Sequence, residues 1–152
     1  NARATEFRVK MGKASFISEE IPVTGEKREI INETFTFNEK EYKATCLTVG
    51  NPHCIIFADK VSKEAVKELG PYVENADEFP NRMNLQLCRL IDRGNLDIEI
   101  WERGSGYTKA SGINVNQPGG MIQINIKEDG TIYMTGTVGF IADISIAQSF
   151  FS

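Results

Sequence analysis

The chain has 152 residues, 41% of them hydrophobic and 25% charged, with a formal net charge of −4. That length suits one domain, or one half of a two-lobed protein, and is enough to bury a real core. A negative charge argues against a nucleic-acid or anionic-membrane surface, no apolar run approaches the span of a bilayer, and no secretory signal is expected.

The opening Asn1-Ala2 reads as the remnant of a cleaved tag, so residues upstream are expected to be missing. Phe7-Arg8-Val9-Lys10-Met11 alternates apolar and charged, the pattern of a half-buried strand, and Gly12 ends it. Residues 13 to 31 contain Pro22 and Gly25 and read as an irregular connection. Residues 33–37 and 41–49 read as a hairpin about Asn38-Glu39-Lys40. Gly50-Asn51-Pro52-His53 interrupts the pattern, and residues 54–58 resume it as a fully buried strand. Ser62 is placed to cap a short helix whose apolar stripe is Val61, Ala65, Val66 and Leu69, with Gly70-Pro71 as its stop.

A loop with Asn75, Asp77 and Pro80 leads to Asn81-Arg82-Met83-Asn84. Residues 85–91 and 96–101 are two further strands about Asp92-Arg93-Gly94-Asn95. In the second, Leu96, Ile98 and Ile100 share one face and Asp97, Glu99 and Trp101 the other. A Gly-rich loop follows from Glu102 to Gly112. Residues 121–126 and 131–135 make a hairpin about Glu128-Asp129-Gly130, and residues 140–146 are a last strand. The expected fold class is α+β, built on a curled, largely antiparallel, barrel-like sheet. The helix near residue 65 is too little to fill such a sheet. Between Ser111-Gly112 and Gln117 lie only Ile113, Asn114, Val115 and Asn116, far short of the roughly 10–14 residues of an average helix.

Cys46, Cys54 and Cys88 are odd in number and lie in strand-like apolar runs, which suits buried free thiols in a reducing, cytoplasmic compartment. Their spacing makes no metal site, and the lone histidine, His53, cannot build one. Polar chemistry concentrates instead in three loops at strand ends: 50–53, 81–84 and 102–112. Asn51 and Asn84 each offer an amide donor and acceptor, suited to carboxylate and ammonium groups together. His53 can donate or carry a proton near neutral pH. Glu102 can take an ammonium group, and Arg103 can hold a carboxylate or support its own loop. Each residue also has a purely structural explanation. Asn51-Pro52 opens many turns, a single histidine beside a buried strand is commonly a satisfied core residue, Asn84 can cap a turn, and Tyr107 can simply fill space.

The motifs Gly50-Asn51-Pro52-His53, Asn81-Arg82-x-Asn84 and Glu102-Arg103-Gly104-x-Gly106-x-Thr108-x-Ala110, in that order, resemble the C-terminal half of the diaminopimelate epimerase family. Met11-Gly12, Pro118-Gly119-Gly120 and Tyr133-Met134-Thr135-Gly136 extend the likeness over nearly the whole chain. The resemblance implies a cytoplasmic, pyridoxal-independent amino-acid racemase or epimerase with no cofactor, made of two lobes that each wrap a curled sheet around a central helix. In such enzymes one thiol per lobe serves either face of the substrate α-carbon, one removing the proton and the other delivering it. Carried over, Asn51 and Asn84 would bind substrate polar groups, Glu102 and Arg103 would stand at its amino-acid end, and His53 would lie beside the catalytic pair.

Two departures qualify this. Tyr107 replaces a family glutamate, and Ser111, followed by Gly112, stands at the catalytic cysteine position, where a hydroxyl is a far weaker acid than a thiol. Ser111 and Gly112 remain expected at the substrate, with catalysis assigned to Ser111, His53 and Glu102. One-base isomerisation or dehydration, or amino-acid binding without catalysis, are the alternatives. The helix that follows Gly112 in the family is also missing here, so a break or long jump between Gly112 and about Asn116 is expected. Expected partners are a small amino-acid substrate and an absent N-terminal lobe, without which this chain would be inactive. A second copy is also expected to pair through residues 140–146, since exposed strand edges recruit strands.

Overall fold

The computed structural model describes residues 6–92, 95–111, 115–117 and 120–137, with backbone alone at 95, 108–111, 115–117, 120–123 and 137. In chain order the elements are β1 (Glu6–Lys13), β2 (Glu33–Phe37), β3 (Lys40–Thr48), β4 (Pro52–Phe57), α1 (Lys63–Glu74), β5 (Asn84–Asp92), β6 (Asn95–Glu102), β7 (Gly106–Ser111), β8 (Val115–Gln117), β9 (Gly120–Ile126) and β10 (Thr131–Thr137). Sheet with one described helix is the expected α+β class.

The barrel expectation needs correcting. The strands form two open sheets, ordered β2-β3-β4-β5-β6-β7 and β1-β10-β9-β8. A barrel requires its first and last strands to pair, and the described ladders stop at β2, β7, β1 and β8 without doing so. Pairing is antiparallel except between β4 and β5, which run parallel because α1 carries the chain back between them. Of the stretch between Gly112 and about Asn116 where a break is expected, residues 112–114 lie outside the described residues and β8 begins at Val115; the last expected strand, residues 140–146, also lies outside them.

Ser62 caps α1 as expected, its hydroxyl accepting from Ala65 N at 3.2 Å. Gly70-Pro71 does not stop the helix, which continues to Glu74. Pro71 lacks an N–H and weakens the ladder there, but the extra turn buries Val73 completely and Glu74 nearly so. At Gly70 an added Cβ would fall 2.3 Å from Trp101 Cγ, so glycine is what lets the indole lie against the helix. The core joins Val66, Leu69 and Val73 of α1 to Ala44, Cys46, Cys54, Ile56, Leu85 and Leu87 of the larger sheet. Phe35, Phe37 and Phe79 close one end of it, their ring centroids 5.5–6.0 Å apart.

The segment expected to be a long glycine loop is mostly strand. Only residues 103–105 form the turn, and β7 pairs back on β6 from Gly106 opposite Glu102 to Ser111 opposite Asp97. Gly104 (φ +78°) and Gly106 (φ +83°) supply the left-handed backbone that makes so tight a reversal possible, and Ser105 N donates to Glu102 O at 3.1 Å.

The smaller sheet is two-faced. Val9 lies opposite Met134, which lies opposite Ile124, and Ile132 lies opposite Ile126, so these side chains share one face. Arg8 and Lys127 lie over the Tyr133 ring on the other face, at 4.4 and 5.1 Å. Phe7, Val9, Met11, Ile124 and Ile126 are all exposed, so the apolar face is largely uncovered.

Candidate functional site

The sites expected from the sequence converge at the edge of the larger sheet where β4 and β5 begin and β6 ends. His53 pairs with Asn84 across the parallel ladder, and Leu85 pairs with Trp101. Asn84 is the junction. It is 5% exposed, its Nδ2 donates to Pro52 O at 2.7 Å, and its Oδ1 accepts from Arg103 N at 3.0 Å. One side-chain amide thus ties all three motif loops together, and it does so through hydrogen bonds that burial makes costly to lose.

Around this junction Arg103 extends its guanidinium to Asn81 O at 2.8 Å, supporting its own loop. Glu102 and Asn51 are exposed, Asn51 just after Gly50, whose φ is +111°. His53 is half-buried and its Nδ1 stands 2.8 Å from Gln86 Nε2. Burial lowers the His53 pKa below the usual histidine range; the Gln86 hydrogen bond and the Glu102 charge oppose this, and Arg103 reinforces it. The imidazole is therefore neutral at pH 7, able to take a proton. Gln86 Oε1 beside it is buried without a hydrogen-bond partner.

Tyr107 and Ser111 lie away from this junction. Tyr107 pairs with Trp101 and so faces α1, on the side of the sheet opposite His53. Its hydroxyl donates to Glu99 Oε2 at 2.6 Å, Lys63 and Lys67 approach its ring at 5.3 and 5.5 Å, and the Glu99 bond pushes the phenol up to about 12. Ser111 ends β7 opposite Asp97. Five strand residues at about 3.4 Å each put its backbone roughly 17 Å from Gly106. Gly112 is outside the described residues. Cys46, Cys54 and Cys88 are free and buried, as expected of packing residues. A hydrogen bond that the Cys54 thiol donates to Cys46, together with burial, raises the Cys54 pKa, and burial alone raises Cys88 to about 11, so both remain thiols at neutral pH.

Sequence reasoning passed over Glu74. Its carboxylate is 7% exposed and gathers Trp101 Nε1 (2.6 Å), Gly104 N (2.8 Å) and Arg82 NH1 (3.3 Å). The available signal was periodicity: Glu74 follows Val66 and Gly70 at helical spacing, which matters only once α1 is carried past Pro71. Among the described residues no group of three or more His, Cys, Asp or Glu could hold a metal ion, and no helix is long and apolar enough to cross a membrane.

The Diaminopimelate epimerase family model matches residues 45–113, which contain all three motif loops. Diaminopimelate epimerase 2 of Nostoc sp. (strain PCC 7120) is 40% identical, the match covering 95% of this chain and 58% of the relative. The diaminopimelate epimerases of Bacillus cytotoxicus and Methanococcus maripaludis are 32% and 33% identical, over 90% and 96% of this chain and 55% and 61% of theirs. The chain thus spans a little over half the length of the curated relatives it matches. The Nostoc match runs over 164 residues but takes up 95% of a 152-residue chain, about 144, so about 20 of its positions have no counterpart here. The Methanococcus match, 168 residues against 96%, about 146, leaves about 22. Over nearly its whole length, the chain is a homologue of the diaminopimelate epimerases.

Proposed function

We propose that this chain forms one lobe of a pyridoxal-independent amino-acid epimerase or racemase, with diaminopimelate the first substrate to test. The observation that carries the reading is Asn84, which joins the Asn51–His53 turn and the Glu102–Arg103 turn into one site. In that site Glu102 meets the substrate ammonium group, Asn51 and the turn backbone meet its carboxylate, and neutral His53 is placed to relay a proton. The partner lobe would supply the opposing face and a second acid or base. The deciding experiment follows α-proton exchange into deuterated water with a panel of amino acids, using a protein that carries both lobes. Exchange with diaminopimelate or another member of the panel is expected; none with any amino acid would overturn the reading.

One feature favours a one-base variant. Ser111 stands where the family carries a thiol, and buried Cys54 and Cys88 are held as neutral thiols. Neither Cys54 nor Cys88 therefore supplies a thiolate on this lobe. Isomerisation or dehydration through a single base would give a product detectable as a keto acid in the same incubation.

We also infer that this chain lacks a core segment next to Gly112. Three observations support this: about 20 unmatched positions in each relative, a family match that stops at residue 113, and the uncovered apolar face of the smaller sheet. A helix of that length would run about 30 Å, enough to cover four strands. Inserting the corresponding Nostoc segment after Gly112 should sharpen thermal unfolding and reduce binding of a hydrophobic dye. The same dye binding and unfolding with and without the insert would sink the inference.

A further inference from the structure

Glu74 is a buried carboxylate for which the proposed chemistry has no direct use. It sits on the last turn of α1, and its three donors come from three other segments. Trp101 is the residue before Glu102, Gly104 is the residue after Arg103, and Arg82 lies two residues before Asn84, held at φ +60°. Glu102 and Arg103 therefore lie between two groups fixed to one carboxylate. Asn84 fixes a third point, the Arg103 N–H, from the opposite side.

We propose that Glu74 is the positioning residue of the Glu102–Arg103 turn, setting how those two side chains meet a ligand without touching it. The inference rests on reading that turn as a binding wall. Chemistry explains why a carboxylate is needed. Its two oxygens only accept, and here they meet an indole N–H, a backbone N–H and a guanidinium. Glutamine has one accepting oxygen, so its NH2 would be turned on either Trp101 or Gly104. Aspartate keeps the charge but is one methylene shorter and cannot reach both groups from the same helix position. Burial alone would raise the Glu74 pKa, but the Trp101 and Gly104 hydrogen bonds and the Arg82 charge hold it below the usual carboxylate range, so the group stays charged.

The test compares E74Q and E74D with V73A, which removes a fully buried side chain from the same turn without touching the loop. All are made in the protein carrying both lobes, and two readouts are taken. Hydrogen exchange at the Gly104 amide should speed up at least tenfold more in E74Q than in V73A at matched loss of Tm. Affinity for diaminopimelate, by calorimetry, should fall at least tenfold in E74Q, less in E74D, and within about twofold in V73A. Exchange or affinity that follows Tm alike in all three variants would overturn the proposal, since Glu74 would then act only through stability. If the unmutated protein binds no amino acid, the functional reading falls, and the Gly104 exchange rate still decides whether Glu74 holds the turn.

Discussion

Replacing Gly70 with alanine should destabilise the fold, although helix propensity alone says the opposite. In an unobstructed helix interior the change would stabilise by about 1 kcal/mol. Here the new Cβ would lie 2.3 Å from Trp101 Cγ, 2.4 Å from Cδ2 and 2.8 Å from Cβ. These distances are far inside the roughly 3.5–4.0 Å of a carbon contact. The obstructing atoms are the base of the indole, so rotation of a flexible tip cannot clear them. Forced repacking costs about 1–3 kcal/mol, and a displaced indole also loses its 2.6 Å hydrogen bond to the Glu74 carboxylate, about 1.5–3 kcal/mol more. Set against the propensity gain, the net loss is about 1.5–5 kcal/mol. Trp101 is the only tryptophan in the chain, so its emission during urea unfolding reports both the midpoint and the local environment. A variant as stable as the parent, with unshifted native emission, would refute this reading of the helix–indole contact.

Further outcomes follow from the same geometry. Asn84→Leu strands Pro52 O and the Arg103 N–H and should cost about 2–4 kcal/mol in chemical denaturation; a loss under about 0.5 kcal/mol would show that the junction does not matter. His53, the one histidine, should titrate below the ordinary 6.5 in NMR. Because its folded pKa is depressed, its contribution to stability is full above 6.5 and is lost as pH falls through the folded value. Gln86→Leu should lower that midpoint further, since the Gln86 bond raises it, and a midpoint at or above 6.5 in the parent would contradict the burial assignment. Glu74 also has a depressed pKa, so its contribution is present above the unfolded carboxyl value of about 4.3 and fades as pH falls below it. Trp101 emission should shift in that acid range in the parent and stay flat in E74Q; identical acid profiles would remove Glu74 as the cause.

Much of the site was legible because it lies in short local motifs. Gly50–His53, Asn81–Asn84 and Glu102–Gly106 each put polar side chains or glycine at a strand end, and each falls where the structure ends a strand. What could not be read was their meeting point. Asn84 looks like any loop asparagine until β4 and β5 pair in parallel and bring Pro52 O within 2.7 Å of its amide. The long glycine loop was misjudged for a related reason: residues 106–111 carry little periodic signal of their own and become strand by pairing with β6.

Sequence by itself determined the class of the fold, the register of apolar alternation along the strands, the capped start of α1 at Ser62 and the homology to diaminopimelate epimerases. These depend on neighbours within a few residues, where propensity and spacing act directly. Only the tertiary structure decided that the strands form two open sheets, that α1 continues through Pro71, and that Tyr107 turns away from His53. It alone gave Glu74 its role, because a carboxylate on a helix end becomes a fixed point only when an indole, a backbone amide and a guanidinium from distant segments arrive around it. Partners so far apart in the chain are selected by packing, and no local pattern encodes them.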